Sequence, residues 1–266
     1  HSGWAAHAGI TAAQLAQTGL TGPPTVLEGR FGFYRAFSEG RFDQDALIGG
    51  LGDRWETLRI LFKPYPTNHF THAGIDAALE LRRQAVSPKD ITELELGVPA
   101  PVLRTIAEPP DLKATPETPH AAKFSGPFTV ATALIGGGGL GVAELDFTAA
   151  TIRDPEHLRL AKSVRCFADE EATDAFPHQF PAVLRARLSD GSVKEHRIVF
   201  NRGGPKNPLT AGELTAKFEL NAAHHLAPED AQRLAKAIWE LDSAENIQKL
   251  LDLTKPSSPT TKEQAT

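Results

Sequence analysis

An α+β fold is predicted by three features of this 266-residue chain. Small and apolar residues recur at helical spacing towards both ends. Short alternating apolar runs lie between them, two of which are joined through Ser189-Asp190-Gly191-Ser192, and Asp-Gly is a strong hairpin turn. The order along the chain is helices, a mixed block, then helices again, with no internal repeat. The divisions read as helical residues 1–57, a mixed α+β block over 58–200, a returning helical segment over 201–254, and a polar tail over 255–266 expected to be disordered.

Taken in order, residues 3–18 are Ala-rich with Ile10 and Leu15, which predicts a closely packed helix. Gly22-Pro23-Pro24 ends it, and Thr25 is a candidate cap for a second helix bearing Val26, Leu27, Phe31, Phe33 and Phe37. Residues 38–57 read as loop. Leu58–Lys63 reads as a short strand stopped by Pro64 and Pro66. A helix is predicted over 69–84, a turn at Ser87-Pro88-Lys89-Asp90, and a strand through Ile91, Leu94, Leu96 and Val98. The proline-rich stretch 99–122 reads as irregular. Helices follow over 124–134, stopped by the glycines at 136–139, and over 154–164. The hairpin strands are 183–188 and 193–200. Thr210 and Glu213 stand at capping-box spacing, Ala227-Pro228 opens another helix, and a last helix covers 243–253.

Composition narrows the function. Hydrophobic residues are 41% and charged residues 23%, ordinary for a globular protein. A net charge of −5 with no basic block argues against nucleic acid as the main partner. No apolar run reaches the roughly 18 residues of a membrane span, and no signal peptide is visible. Cys166 is the one cysteine, so the chain cannot close an internal disulfide or hold an iron–sulfur cluster in the usual way. A cytoplasmic location fits these features. There is no methionine, and His1 to Gly9 reads like the inside of a helical region.

The densest chemistry is Lys63-Pro64-Tyr65-Pro66-Thr67-Asn68-His69-Phe70-Thr71-His72. A lysine before a helix start and a histidine at it can together hold a carboxylate, because free N–H groups there favour anions. The same pattern also suits a surface turn with a solvated lysine and a capping asparagine. His69 and His72 can share a helix face, but no third ligand stands at a familiar spacing, so no metal site is expected. Lys123 is a candidate anion contact and Ser125 a candidate cap, in Ala122-Lys123-Phe124-Ser125-Gly126-Pro127. The glycine run follows a helix rather than a strand, so it is no dinucleotide fingerprint, and Ser125 lacks a nucleophile-elbow context. His224 and His225 read as surface residues.

These segments resemble the MmgE/PrpD family, which includes 2-methylcitrate dehydratase, cis-aconitate decarboxylase and iminodisuccinate epimerase. The opening His1-Ser2-Gly3-Trp4-Ala5-Ala6-His7-Ala8-Gly9 is similar to its LHxGxAAxxG segment, and Leu27–Phe33 to its glycine–aromatic stretch. Lys63 to His72 is similar to KxYPxxxxxH, and Ala122 to Ala131 to AKFSxPxxVA. The resemblance runs in order to about Leu253. It implies an α+β lid inserted between segments of an all-helical domain, with an active site between the two.

The resemblance implies catalytic roles for Lys63, Asn68 and His69, and substrate contacts from Tyr65, His72, Lys123 and Ser125. Other members place a histidine or cysteine near the position of Asn68. It also implies further catalytic residues in an N-terminal helical region ahead of His1, so the chain is expected to carry half of an active site. The partner would be a small carboxylate, in a homodimer or with a chain supplying that region, and no cofactor is expected. The implied reaction is a lyase step, dehydration or decarboxylation of a di- or tricarboxylic acid by acid–base groups. Epimerisation within the same family, or an inactive subunit that binds a partner, are the alternatives.

Overall fold

The structure is a computed structural model that describes residues 1–255; the remainder of the predicted disordered tail lies outside the described residues. The chain forms two compact units, His1–Leu58 and Arg59 onward.

In the first unit, α1 spans Ser2–Gln17, α2 Phe33–Ser38 and α3 Gln44–Ile48. Helix α1 matches the predicted helix, and Thr18 closes it by donating its hydroxyl to the Leu15 carbonyl at 2.7 Å. The helix expected from Thr25 does not form. Gly29 N–H donates to the Thr25 carbonyl at 2.9 Å and Gly32 N–H to the Gly29 carbonyl at 2.8 Å, so residues 25–32 fold as successive tight turns. A β-carbon at either glycine would sit 2.5–2.6 Å from a neighbouring carbonyl oxygen. Helix α2 starts only after Gly32. Aspartate 43 caps α3, accepting from Ala46 N–H at 3.1 Å.

The second unit opens with α4, His72–Arg83, preceded by a single 3-10 turn at His69–Thr71. Then come β1 Ile91–Val98, α5 Ala100–Ile106, α6 Pro110–Ala114, α7 Pro119–Ala122, α8 Gly126–Ile135 and α9 Pro155–Ser163. The second half holds β2 Val164–Ala168, α10 Glu170–Ala175, β3 Ala182–Leu188, β4 Val193–Ile198, α11 Ala211–Ala222, α12 Pro228–Trp239 and α13 Gln248–Leu253. Helices and a small mixed sheet confirm the α+β class.

Further expectations about elements need correction. Residues 38–57, read as loop, hold α3 and the start of a 3-10 turn. Residues 58–63 form no strand: a 3-10 turn occupies Glu56–Arg59, and Phe62 N–H makes a lone ladder-like bond to the Gly203 carbonyl at 2.9 Å. Pro64 and Pro66 lack N–H groups, so pairing cannot extend. Residues 99–122 are not irregular but hold three short helices, each with proline in its first turn, where the missing N–H costs nothing. Strand β2 was not anticipated, because it follows α9 without a break. The final helix is shorter than expected, with 244–247 interrupting between a 3-10 turn and α13.

The sheet has the order β2-β1-β3-β4. Strands β1 and β2 are parallel; β1 with β3 and β3 with β4 are antiparallel. Period-two alternation sends Leu94, Leu96, Leu184 and Ala186 into the core, where α4 and α8 cover them. Each fully buried leucine there contributes about 1.5–3 kcal/mol of transfer free energy. The opposite face carries charges that pair directly across strands: Glu95 with Arg165 and Arg185, Arg185 with Glu195, and Glu93 with Arg187 at 3.4 Å. Such exposed pairs fix register more than they add stability. The hairpin turn forms as predicted, with Asp190 accepting from Ser192 N–H at 2.8 Å. Beyond β4 a connection over 199–210, which includes Asn201, leads to α11.

Candidate functional site

The Lys63–His72 segment is held by its own turn chemistry. Asn68 accepts from Phe70 N–H at 3.0 Å through its side-chain oxygen, and Asn68 N–H donates to the Lys123 carbonyl at 2.9 Å. The Thr71 hydroxyl donates to the Asn68 carbonyl at 2.8 Å. Lys63 Nζ reaches back to the Thr67 carbonyl at 3.3 Å. Among the described residues, no carboxylate pairs with this ammonium. Gly203 braces the start of the segment. Its φ is +96°, and a β-carbon there would lie 1.9 Å from the Phe62 carbonyl oxygen, so only glycine fits.

His69 and His72 stand on neighbouring turns with ring centroids 5.0 Å apart. His69 packs edge-on against Phe180 at 4.8 Å, and its Nε2 lies 3.3 Å from the side-chain amide nitrogen of buried Asn201. That amide is a donor, so it meets a neutral ring nitrogen and places the His69 proton on Nδ1. Burial, then the nearby Lys63 charge, holds the His69 pKa below the usual histidine range. His72 is fully buried, and burial followed by the His69 charge drives its pKa down to about 3. Its Nε2 lies 3.4 Å from the Thr67 carbonyl, while Nδ1 has no partner. Both imidazoles are therefore neutral at pH 7.

Beneath the segment lies a polar network. The Tyr65 hydroxyl donates to Asp76 Oδ1 at 2.5 Å, and Arg202 N–H donates to Asp76 Oδ2 at 3.2 Å. Arg202 Nη1 lies 3.4 Å from the same hydroxyl and donates to the Leu140 carbonyl at 3.2 Å, while Nη2 pairs with Glu213. Burial raises the Asp76 carboxyl above the usual range, and its hydrogen bonds only partly offset this. Glu213 also closes the predicted capping box with Thr210. That box sets the phase of α11, and one turn further Lys217 donates to the Lys63 carbonyl.

Two clefts border the segment. One of about 290 Å³ is lined by Lys63, Tyr65, Lys217 and Asn221, with Glu144 at its side and apolar walls. The other, of about 250 Å³, is lined by Phe180, Asn201, His178, Arg59 and Lys206, the first two being the contacts of His69.

The structure thus gathers Lys63, Tyr65, Asn68, His69 and His72 in one place. Lys123 pairs with Glu144 at the edge of the first cleft. Ser125 is fully buried; it caps α8 by accepting from Phe128 N–H at 2.9 Å and donates to the Lys113 carbonyl at 2.5 Å. Its one hydroxyl proton is committed to the Lys113 carbonyl. Sequence reasoning missed Asn201, Arg202, Lys217 and Asn221. The first two carried no local signal. The capping box at Thr210 could have flagged the others, since it fixes which face 217 and 221 share. Cys166 is half-buried in β2 and burial pushes its thiol up to about 12, which makes it a poor nucleophile. Among the described residues, no three metal-ligating side chains cluster, and no helix is long and apolar enough to cross a membrane.

Residues 65–243 match the MmgE/PrpD C-terminal domain, and residues 1–45 match the MmgE/PrpD N-terminal domain. The chain is 28% identical to cis-aconitate decarboxylase of Homo sapiens over 97% of its length, and 26% identical to the Mus musculus protein of the same name, also over 97%. It spans 53% and 52% of the length of these two relatives.

Proposed function

The chain belongs to the MmgE/PrpD family, and from that premise we propose that it carries part of the active site of a lyase acting on a small di- or tricarboxylic acid. One observation supports this above the rest: Lys63, an ammonium that pairs with no carboxylate among the described residues, lies near enough to the neutral His69 for its charge to help lower that histidine's pKa. Lys63 anchors a substrate carboxylate. Its positive charge stabilises the enediolate-like form as electrons move onto that carboxylate. Neutral His69 exchanges the proton at the adjacent carbon.

Two balanced outcomes are open to this arrangement. In dehydration, His69 takes the proton on Nε2 in place of its Asn201 contact, the C–H electron pair becomes the new double bond, and the departing hydroxide takes that proton back from imidazolium His69 to leave as water. In decarboxylation, the C–C bond breaks, CO2 leaves, and the carbon left electron-rich takes a proton that neutral His69 relays from solvent water. The relatives are named for decarboxylation of cis-aconitate, so an unsaturated tricarboxylate is the first substrate to test. Asn68 has no titratable proton and its oxygen is engaged in the turn; we assign it to positioning rather than proton transfer.

The test is turnover of cis-aconitate by the natively produced protein, following CO2 release and water addition separately. Lys63→Ala and His69→Gln should each lower kcat/KM by about 10²-fold or more. Unchanged turnover in Lys63→Ala would refute the assignment. Uptake of solvent deuterium without loss of CO2 or water would redirect the reading to epimerisation.

A further inference from the structure

The cleft of about 290 Å³ presents two ammonium groups, Lys63 and Lys217. Among the described residues, neither has a carboxylate partner. The one acid that lines the cleft, Glu144, is taken up by Lys123. Each lysine donates to a backbone carbonyl, Lys63 to Thr67 and Lys217 to Lys63 itself. An ammonium has three N–H groups, so each retains two. Lys217 and Asn221 stand four apart on α11 and so share a face, and Asn221 lines the same cleft. Leu140, Val142 and Leu220 supply apolar walls.

Two like charges lining one cleft are costly without an anion between them. Burial, and then the charge of Lys63, hold the Lys217 ammonium below the usual lysine range, which fits an unneutralised pair. A carboxylate offers two oxygens with about four acceptor sites, matching the donors left over. Apolar walls strengthen that attraction by excluding water.

We infer that Lys217 and Asn221 form a carboxylate-binding subsite together with Lys63, and that this cleft takes one carboxylate arm of a di- or tricarboxylic acid. The inference rests on the proposed role of Lys63 as carboxylate anchor and adds to it a second cation from a distant helix.

The probe is tricarballylate, a saturated tricarboxylate, titrated calorimetrically into the full chain at low ionic strength. Lys217→Gln should weaken binding by about tenfold or more, Asn221→Ala by less, and Lys217→Arg should retain most affinity. Lys162→Gln, an exposed lysine on α9, should change nothing. Binding that is absent in the parent chain, or undiminished in Lys217→Gln, overturns the subsite. Lys63→Ala separates the two readings. If it abolishes binding while Lys217→Gln does not, only the subsite falls; if neither matters, the anchor role falls too. A second measurement needs no variant. Tricarballylate should slow acetylation of Lys217 and Lys63 but not of Lys162, read by mass spectrometry, and an unprotected Lys217 contradicts the inference.

Discussion

Replacing Tyr65 by Phe deletes one oxygen from a fully buried ring and leaves its volume unchanged. The lost group is the donor to Asp76 Oδ1 at 2.5 Å, in a site where Asp76 is itself buried. Arg202 N–H still serves Oδ2 at 3.2 Å, but Oδ1 is left without a partner. Stranding a buried acceptor costs about 1–3 kcal/mol, towards the upper end for a charged group, so about 2–3 kcal/mol is expected here. For a chain of this size that lowers Tm by roughly 4–12 °C. The pH dependence sharpens the test. Burial holds the Asp76 carboxyl above its unfolded value, and the Tyr65 bond pulls the other way. Removing the bond raises the folded pKa further. A raised folded pKa means the native state keeps a proton that the unfolded chain releases, so stability falls as pH rises from about 4 through the folded value. The deficit of Tyr65→Phe against the parent should therefore be largest near pH 7 and shrink on acidification. Urea unfolding followed by circular dichroism at pH 5 and pH 7 measures both. A deficit under about 0.5 kcal/mol, or one that grows on acidification, would refute the assignment of this network.

His72 titrates in the opposite sense. Its folded pKa of about 3 lies below the unfolded value near 6.5, so its contribution is complete above that value and is lost as pH falls towards 3. His72→Phe should flatten this part of the acid limb, and an unchanged slope between pH 6.5 and 4 would count against it. Gly203→Ala places a β-carbon against the Phe62 carbonyl at a φ of +96° and should cost more than about 2 kcal/mol in a thermal melt. Ser125→Ala removes the α8 cap and a donor to Lys113, for a loss of about 1–2 kcal/mol by urea unfolding.

The sequence disclosed what local chemistry determines. The Asp190-Gly191 turn and the Thr210–Glu213 box each satisfy a neighbour within a few residues. Their spacing is therefore visible without a structure. The failures have the opposite origin. Residues 58–63 have strand composition but no neighbouring strand, and only tertiary pairing could decide that. The proline-rich composition of 99–122 suggests irregular chain, although proline in a first turn is well suited to starting a helix. The Lys63–His72 cluster was visible because its residues are contiguous. Its supports were not, since Asn201 and His69 are 132 positions apart.

That separation explains how the site is built. Four consecutive contacts run between the same two stretches of chain. Gly203 pairs with Phe62, Lys217 with the Lys63 carbonyl, Arg202 with Tyr65 and Asp76, and Asn201 with His69. One stretch carries the candidate chemistry, and the other leaves the end of β4, the edge strand of the sheet. The hairpin therefore delivers the bracing residues at a position fixed by sheet register, and the capping box fixes where Lys217 follows. Adding or removing one residue at 199–200, between β4 and Asn201, would shift all four contacts at once. It would move Lys63 and His69 relative to each other without touching either, so the geometry of this cluster depends on the hairpin as much as on the residues that compose it.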